Sequence, residues 1–196
     1  MISGEIIIAT RNEGKVTEFR ELFKESFKKV LSLNDFENVP EIVEDRDSFR
    51  GNALKKAETI SKMFNRTALA DDSGLVVDSL GGEPGIYSAR YAGEDADDEK
   101  NIIKLLKNME GKKDRKARFV CALAIVFPDG NSEVFEGECH GEITEMKIGT
   151  NGFGYDPVFY LSQYKKTMAE ISPEIKNSIS HRSESAKQLI DYLKNI

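Results

Sequence analysis

The stretch "IIIATRNEGKVTEF", residues 6–19, carries the first element of the fold. Ile6 to Ala9 reads as a fully buried strand, because consecutive apolar side chains suit a strand covered on both faces. A polar turn follows and opens a helix. Asn12 is placed to cap it, and Val16, Phe19, Leu22, Phe23 and Phe27 recur at spacings of three and four. Strand, glycine turn, lysine and helix start is an arrangement suited to phosphate. A helix N-terminus offers N–H groups and about half a positive charge. Lys15 adds a full charge, and Thr10 and Asn12 add hydrogen-bond donors. The stretch is not a P-loop, which needs glycine where Ala9 stands and Ser or Thr where Val16 stands. A capped turn with an exposed lysine fits the same residues.

Outward from this stretch, strands and helices alternate. Lys29 to Leu33 reads as a strand, followed by the acidic loop "NDFENVPEIVEDRDS". An amphipathic helix comes next, with Phe49, Ala53, Ala57, Ile60 and Phe64 on one face and Lys55, Lys56, Glu58 and Lys62 on the other. "TALADDSGLVVDSLGGEPGIYSARYAG" reads as strand, turn, strand and glycine-rich loop. Asp97 to Met109 is helical through Ile102, Ile103, Leu105, Leu106 and Met109. Ala117 to Phe127 and Glu133 to Glu138 are strands joined at "PDGN", a hairpin signal. "GTNGFGYDPVFY" is a glycine-rich loop entering a short strand, and Ser183 to Leu193 is a last helix. There is no repeat, linker or low-complexity tract, so the reading is one α/β domain over residues 1–196 around a mixed sheet.

Composition narrows the function. The 196 residues are 39% hydrophobic and 32% charged, ordinary for a globular protein with a real core. The net charge of -6 argues against a nucleic-acid binder, which needs a basic face. The five basic residues within 112–118 read as a solvated lead-in to a strand. No run approaches 18 apolar residues and no basic leader precedes Ile6, so the expectation is a cytoplasmic protein with no membrane contact. Cys121 and Cys139 read as buried thiols of a reducing compartment. With only His140 and His181 available, a metal would sit on carboxylates, which favours magnesium or manganese.

Several segments can carry chemistry. Asp71 and Asp72 end an apolar strand, where α/β folds place ligands. Successive strand side chains point to opposite faces, so the two carboxylates do different jobs unless the strand breaks there. One can hold Mg2+ or activate a water, and the other can anchor the turn. An Asp-rich surface turn is the plainer alternative. Glu44 and Asp45 read as solvated surface on local evidence. "GGEPGIYSARYAG" fixes four glycines and a proline in thirteen residues, which implies a tight path or close approach to a ligand. In "FGYDP", Phe153 can stack on a base and Asp156 can bond its edge, against core packing for the ring. In "ISHRS", Arg182 can bond a carbonyl or a phosphate.

Taken in order, T-x-N-x-G-K, A-D-D-S-G-L, P-G-x-Y-S-A-R-Y, G-F-G-Y-D-P and S-H-R make the chain resemble the inosine triphosphate pyrophosphatase family. The closest likeness is to its bacterial and archaeal dITP/XTP pyrophosphatases. The motifs span residues 10–182. The resemblance implies an elongated α/β domain with a central mixed sheet flanked by helices, two lobes and a substrate cleft. It implies a homodimer and a Mg2+-dependent hydrolase, with Mn2+ able to substitute. That enzyme cleaves ITP, dITP, XTP or dXTP to the monophosphate and pyrophosphate, cleansing the nucleotide pool. By motif, Thr10, Arg11, Asn12, Glu13, Gly14 and Lys15 grip the triphosphate. Asp72 is general base and metal contact. Glu44, reached by counting back from Gly51–Ala53, is a second metal ligand. Ser73 touches substrate, and Phe153, Gly154, Tyr155, Asp156, Lys176, His181 and Arg182 form the base end. A pyrimidine-preferring pyrophosphatase, a nucleotide sensor without turnover and a single-strand RNA binder are the rivals. The purine-type motifs, the intact Lys15 and Asp72, and the acidic balance count against them in turn.

Overall fold

The computed structural model describes residues 2–94 and 97–195. The strands are β1 (Ile2–Ile8), β2 (Phe27–Ser32), β3 (Ala68–Val77), β4 (Lys116–Val126), β5 (Ser132–Ile143), β6 (Phe159–Leu161) and β7 (Lys166–Thr167). The helices are α1 (Glu13–Phe23), α2 (Phe49–Phe64), α3 (Asp98–Asn108), α4 (Pro173–Ile179) and α5 (His181–Leu193), with short 3-10 turns between them. The strands form one sheet in the order β2-β1-β3-β4-β5-β6-β7. β1 pairs parallel with β2 and β3, whereas β6 pairs antiparallel with β5 and β7, so the sheet is mixed as the sequence implies.

Two compact units partition the chain. The first comprises residues 1–72, 121–137 and 181–196, and strand alternation builds its two core layers. On one face Ile6, Ile8, Leu69, Cys121, Leu123 and Ile125 meet Phe19 and Phe23 of α1 and Ala186 and Leu189 of α5. On the other, Ile7, Ala68, Ala70, Ala122 and Ala124 meet Ala53, Ala57 and Ile60 of α2. The small alanines let α2 approach the strands closely. The second unit comprises residues 73–120 and 138–180, with a core of Leu75, Val77, Ile102, Leu105, Phe119, Val158 and Phe159 among others. Cys121 and Cys139 are both buried, and neither is in a disulfide. No helix among the described residues is long and apolar enough to cross a membrane.

Four local readings are corrected. Phe27 opens β2 rather than extending α1; its ring still meets Phe23 at 5.8 Å between centroids, so the helical spacing reported a shared core and not a shared helix. β3 runs unbroken through Asp71, Asp72, Ser73 and Gly74, with Oδ2 of each carboxylate held by the partners described below. Lys56 is buried rather than solvated. α4 is a further helix, capped by the Ser172 side chain and opened by Pro173, both ordinary start signals.

Candidate active site

The turn after β1 is built by its own polar groups. The Asn12 carboxamide oxygen accepts the Lys15 N–H at 3.0 Å, and the Asn12 N–H donates to Thr10 Oγ1 at 3.2 Å. Arg11 donates to the carbonyls of Leu33 and Val39 at 3.2 and 3.0 Å, and Glu13 accepts from Asn34 at 2.6 Å. The motif reading gives all of residues 10–15 to the substrate. The structure spends the side chains of Arg11 and Glu13 on holding the turn. Lys15 and the first-turn N–H groups of α1 are the features of this turn whose chemistry suits an anion.

Lys15 Nζ lies 2.8 Å from Asp71 Oδ2. The same oxygen lies 3.3 Å from Arg182 Nε, and Arg182 Nη1 donates to Glu18 Oε2 at 3.1 Å. α1 and α5 pack together and bring these charges to β3. Burial pushes the Asp71 carboxyl up, but Lys15, Arg182 and Lys56 outweigh it and hold the group well below the usual carboxylate range. Asp71 is a permanent buried anion.

The next residue behaves oppositely. Asp72 Oδ2 accepts from Asn52 Nδ2 of α2 at 3.0 Å. Beside it Lys56, also on α2, forms an ion pair with Glu44 from the acidic loop. Burial drives the Asp72 carboxyl up to about 6; Glu44 adds to that, and Lys56, Lys15 and the Asn52 bond oppose it. Burial works against the Lys56 charge, yet Glu44, Asp72 and Asp71 together raise its pKa. Alternation along β3 thus separates a structural carboxylate from one poised to exchange a proton near neutral pH.

Asn52, Lys56 and Glu18 have no place in the motif reading. Asn52 and Lys56 lie four apart on α2, bordering the buried Ala53 and Ala57. A polar pair repeating beside an apolar stripe was the available signal.

Among the described residues no group of three or more His, Cys, Asp or Glu side chains is placed to hold a metal ion. Glu44 and Asp72 are two, and both are hard oxygen donors. Mg2+ is commonly held by one or two carboxylates with water and substrate phosphates completing the shell, so this pair fits it. Burial first, then the Glu44 charge, raises the Asp72 pKa, and a cation beside the carboxylate would oppose both.

A second cluster lies within the second unit. Asp156 Oδ2 accepts the Phe153 N–H at 3.0 Å and pairs with Lys176 Nζ at 2.5 Å; both charged side chains are buried. Lys176 Nζ also lies 4.8 Å from the Phe153 ring centroid. Tyr155 donates to the Ser88 carbonyl at 2.8 Å, and burial pushes its hydroxyl pKa up. Burial, with the Asp156 charge, lifts the Cys139 thiol to about 11, which leaves it inert at neutral pH. The sequence reading groups His181 and Arg182 with this cluster. Both belong to the first unit, where His181 is buried at the start of α5 and Arg182 faces Asp71 and Glu18. Ser73 follows Asp72 in β3, half-buried.

Comparison with known proteins gives a consistent picture. The Ham1 family model matches residues 6–192. A dITP/XTP pyrophosphatase of Bacillus licheniformis is 54% identical over 187 residues, covering 94% of this chain and 95% of that protein. One of Bacillus anthracis is 48% identical over 189 residues, covering 94% of each. Among solved structures, the Staphylococcus aureus Ham1 protein superposes with a TM-score of 0.88 at 44% identity, covering 98% of this chain and 99% of that one. A nucleoside-triphosphatase, dITP/XTP pyrophosphatase, of Mycobacterium abscessus gives 0.76 at 38% identity, covering 95% and 98%.

Proposed function

The chain belongs to the Ham1 family, and from that premise we infer that it hydrolyses deaminated purine nucleoside triphosphates, dITP and XTP among them, to the monophosphate and pyrophosphate. The observation that carries the mechanism is the split between neighbouring carboxylates: Asp71 locked as an anion, Asp72 lifted to about 6.

In this mechanism Asp72 accepts the proton of the attacking water. A carboxylate with a pKa near the working pH is basic enough to take the proton and mostly ionised when it must act. In-line attack at the α-phosphorus expels pyrophosphate. Lys15 and the α1 N-terminus neutralise charge on the phosphates, and the fixed Asp71 carboxylate orients Lys15 until substrate arrives. Glu44 and Asp72 hold Mg2+, with Mn2+ able to replace it. When bound, the ion supplies charge neutralisation at the phosphates and a lower pKa for a bound water. Lys56 holds Glu44 in place through their ion pair. Phe153 stacks on the base. Lys176 is a donor only, which suits the C6 carbonyl of hypoxanthine and xanthine and opposes the amino group of adenine. The reading extends to a homodimer in the cytoplasm; two buried cysteines outside any disulfide fit a reducing compartment, and light scattering checks the dimer.

The deciding experiment is a panel of nucleoside triphosphates with Mg2+ and chromatography of the products. ITP and XTP turnover well above ATP, yielding monophosphate and pyrophosphate, is the expected result. IDP and orthophosphate from ITP would place the cut at the wrong bond and overturn the assignment.

Two further outcomes follow from the geometry. Lys15→Ala raises KM and lowers kcat together, each by roughly tenfold, since a lysine on a polyanion acts in both ground and transition states. An unchanged pair of constants would confine Lys15 to its structural ion pair with Asp71. Also, kcat/KM falls by about tenfold per pH unit below about 6, as Asp72 takes up its proton. Raising Mg2+ moves that limb to lower pH, because cation and proton compete for one carboxylate. A limb that ignores Mg2+ would remove Asp72 from the metal site.

A further inference from the structure

We propose that Asp98, the first residue of α3, is a positioning residue that sets the Phe153 loop for base stacking. It acts through the backbone of Gly154. The Gly154 N–H donates to Asp98 Oδ2 at 2.8 Å across 56 residues of sequence. Next to it Glu99 pairs with Lys147, so the first turn of α3 grips the loop segment at two points.

The loop is one that needs external support. Gly152 and Gly154 sit at φ +76° and +59°, conformations that L side chains rarely adopt. A Cβ on Gly152 would meet Asp156 Oδ2 at 2.0 Å. Phe153 lies between these two glycines, so the backbone on either side of it is poorly constrained by local sterics. Its position depends on what fixes its neighbours. On one side Asp156 accepts the Phe153 N–H, with Lys176 behind that carboxylate. On the far side Tyr155 is tied to the Ser88 carbonyl. Between them, at Gly154, Asp98 is the tie. Ser88 in turn accepts the Leu75 N–H and donates to the Gly85 carbonyl. This accounts for the P-G-x-Y-S-A-R motif as a brace for the loop. Asp98 lies in no motif, and its carboxylate bonds the backbone of Gly154 rather than a side chain assigned to substrate.

The inference rests on Phe153 being the base-stacking residue, and the test separates the two. ITP hydrolysis is measured for Asp98→Ala, Asp98→Asn, Asp97→Ala, Phe153→Leu and the Asp98→Ala/Phe153→Leu double variant, each with its Tm. Asp97 is the control: its side chain caps α3 by accepting the Lys100 N–H, so its loss weakens the helix without touching the loop. Losing a hydrogen bond to a charged acceptor at an exposed site predicts a rise in KM of about three- to tenfold for Asp98→Ala, with kcat within about twofold. Asp98→Asn keeps an acceptor and the parent KM. Asp97→Ala lowers Tm and leaves KM alone, and Asp98→Ala adds nothing once Phe153 is leucine. A KM unchanged in Asp98→Ala overturns the proposal. So does an equal rise in Asp97→Ala, or a full Asp98 effect in the Phe153→Leu background. A Phe153→Leu variant with the parent KM sinks the stacking role itself, and the proposal with it.

Discussion

Asp72→Asn is expected to lower kcat by a hundredfold or more and, at the same time, to raise the melting temperature. Removing a general base typically costs about 10² to 10⁴ in rate. Asn keeps the shape, and its amide oxygen can still accept from Asn52, so the fold is retained. The stability gain follows from the sign of the pKa shift. The Asp72 carboxyl stands at about 6 in the folded chain, above its ordinary value, so the folded state binds this proton more tightly than the unfolded state does. Its ionisation therefore opposes folding at neutral pH. That penalty is relieved as pH falls through about 6 towards the ordinary carboxylate value. A shift of this size corresponds to an upper limit on the order of 3 kcal/mol. In a chain of this length each kcal/mol moves Tm by roughly 2–4 °C. Thermal melts at pH 7 and pH 5 should show the variant ahead at pH 7, with the gap closing at pH 5. Activity within about threefold of the parent, or a Tm well below it, would remove Asp72 from the role of strained base.

Its neighbour should respond with the opposite sign. Asp71→Asn is expected to destabilise the protein by about 3–5 kcal/mol at pH 7, the usual consequence of breaking a buried ion pair from one side. The carboxylate is 2% exposed and faces two cations through one oxygen, with Arg182 itself 4% exposed. Its loss leaves Arg182 with Glu18 and leaves Lys15 without its nearest anion. The folded pKa of Asp71 is depressed, so its contribution is complete above the unfolded carboxylate value and is lost as pH falls further. Urea unfolding of parent and variant should therefore differ most at neutral pH and converge in acid. A difference under about 1 kcal/mol at pH 7 would show that the Lys15–Asp71–Arg182 cluster is not a structural hub. The expected opposite signs of Asp71→Asn and Asp72→Asn tell adjacent residues with the same side chain apart by stability alone.

Much of this was legible in the chain itself. Ile6–Ala9 running into a capped turn and an apolar helical stripe determined the strand–turn–helix start, because these patterns are local: a strand repeats every two residues and a helix every 3.6. Alternation along β1, β3 and β4 builds the two core layers of the first unit, but the helices that cover each face come only from the tertiary structure. The order of five motifs pointed to the family, and the period of two implied that Asp71 and Asp72 would part company. Periodicity reports only neighbours within a turn or a strand, and there it stopped. It placed Lys56 on a solvated face, since α2 shows no partner for it within its own length; the partner is Glu44, in a loop folded back over the helix. It broke β3 at the two aspartates, since two unsatisfied carboxylates read as a turn. The family resemblance, which carries no distances, set Arg182 with the base-end residues. Arg182 meets Asp71 across 111 residues and Glu18 across 164. Which of two identical carboxylates is locked and which is poised depends on the charges that strand pairing and helix packing bring to each face. Those charges come from α1, α2 and α5 together, and only the tertiary structure decides that.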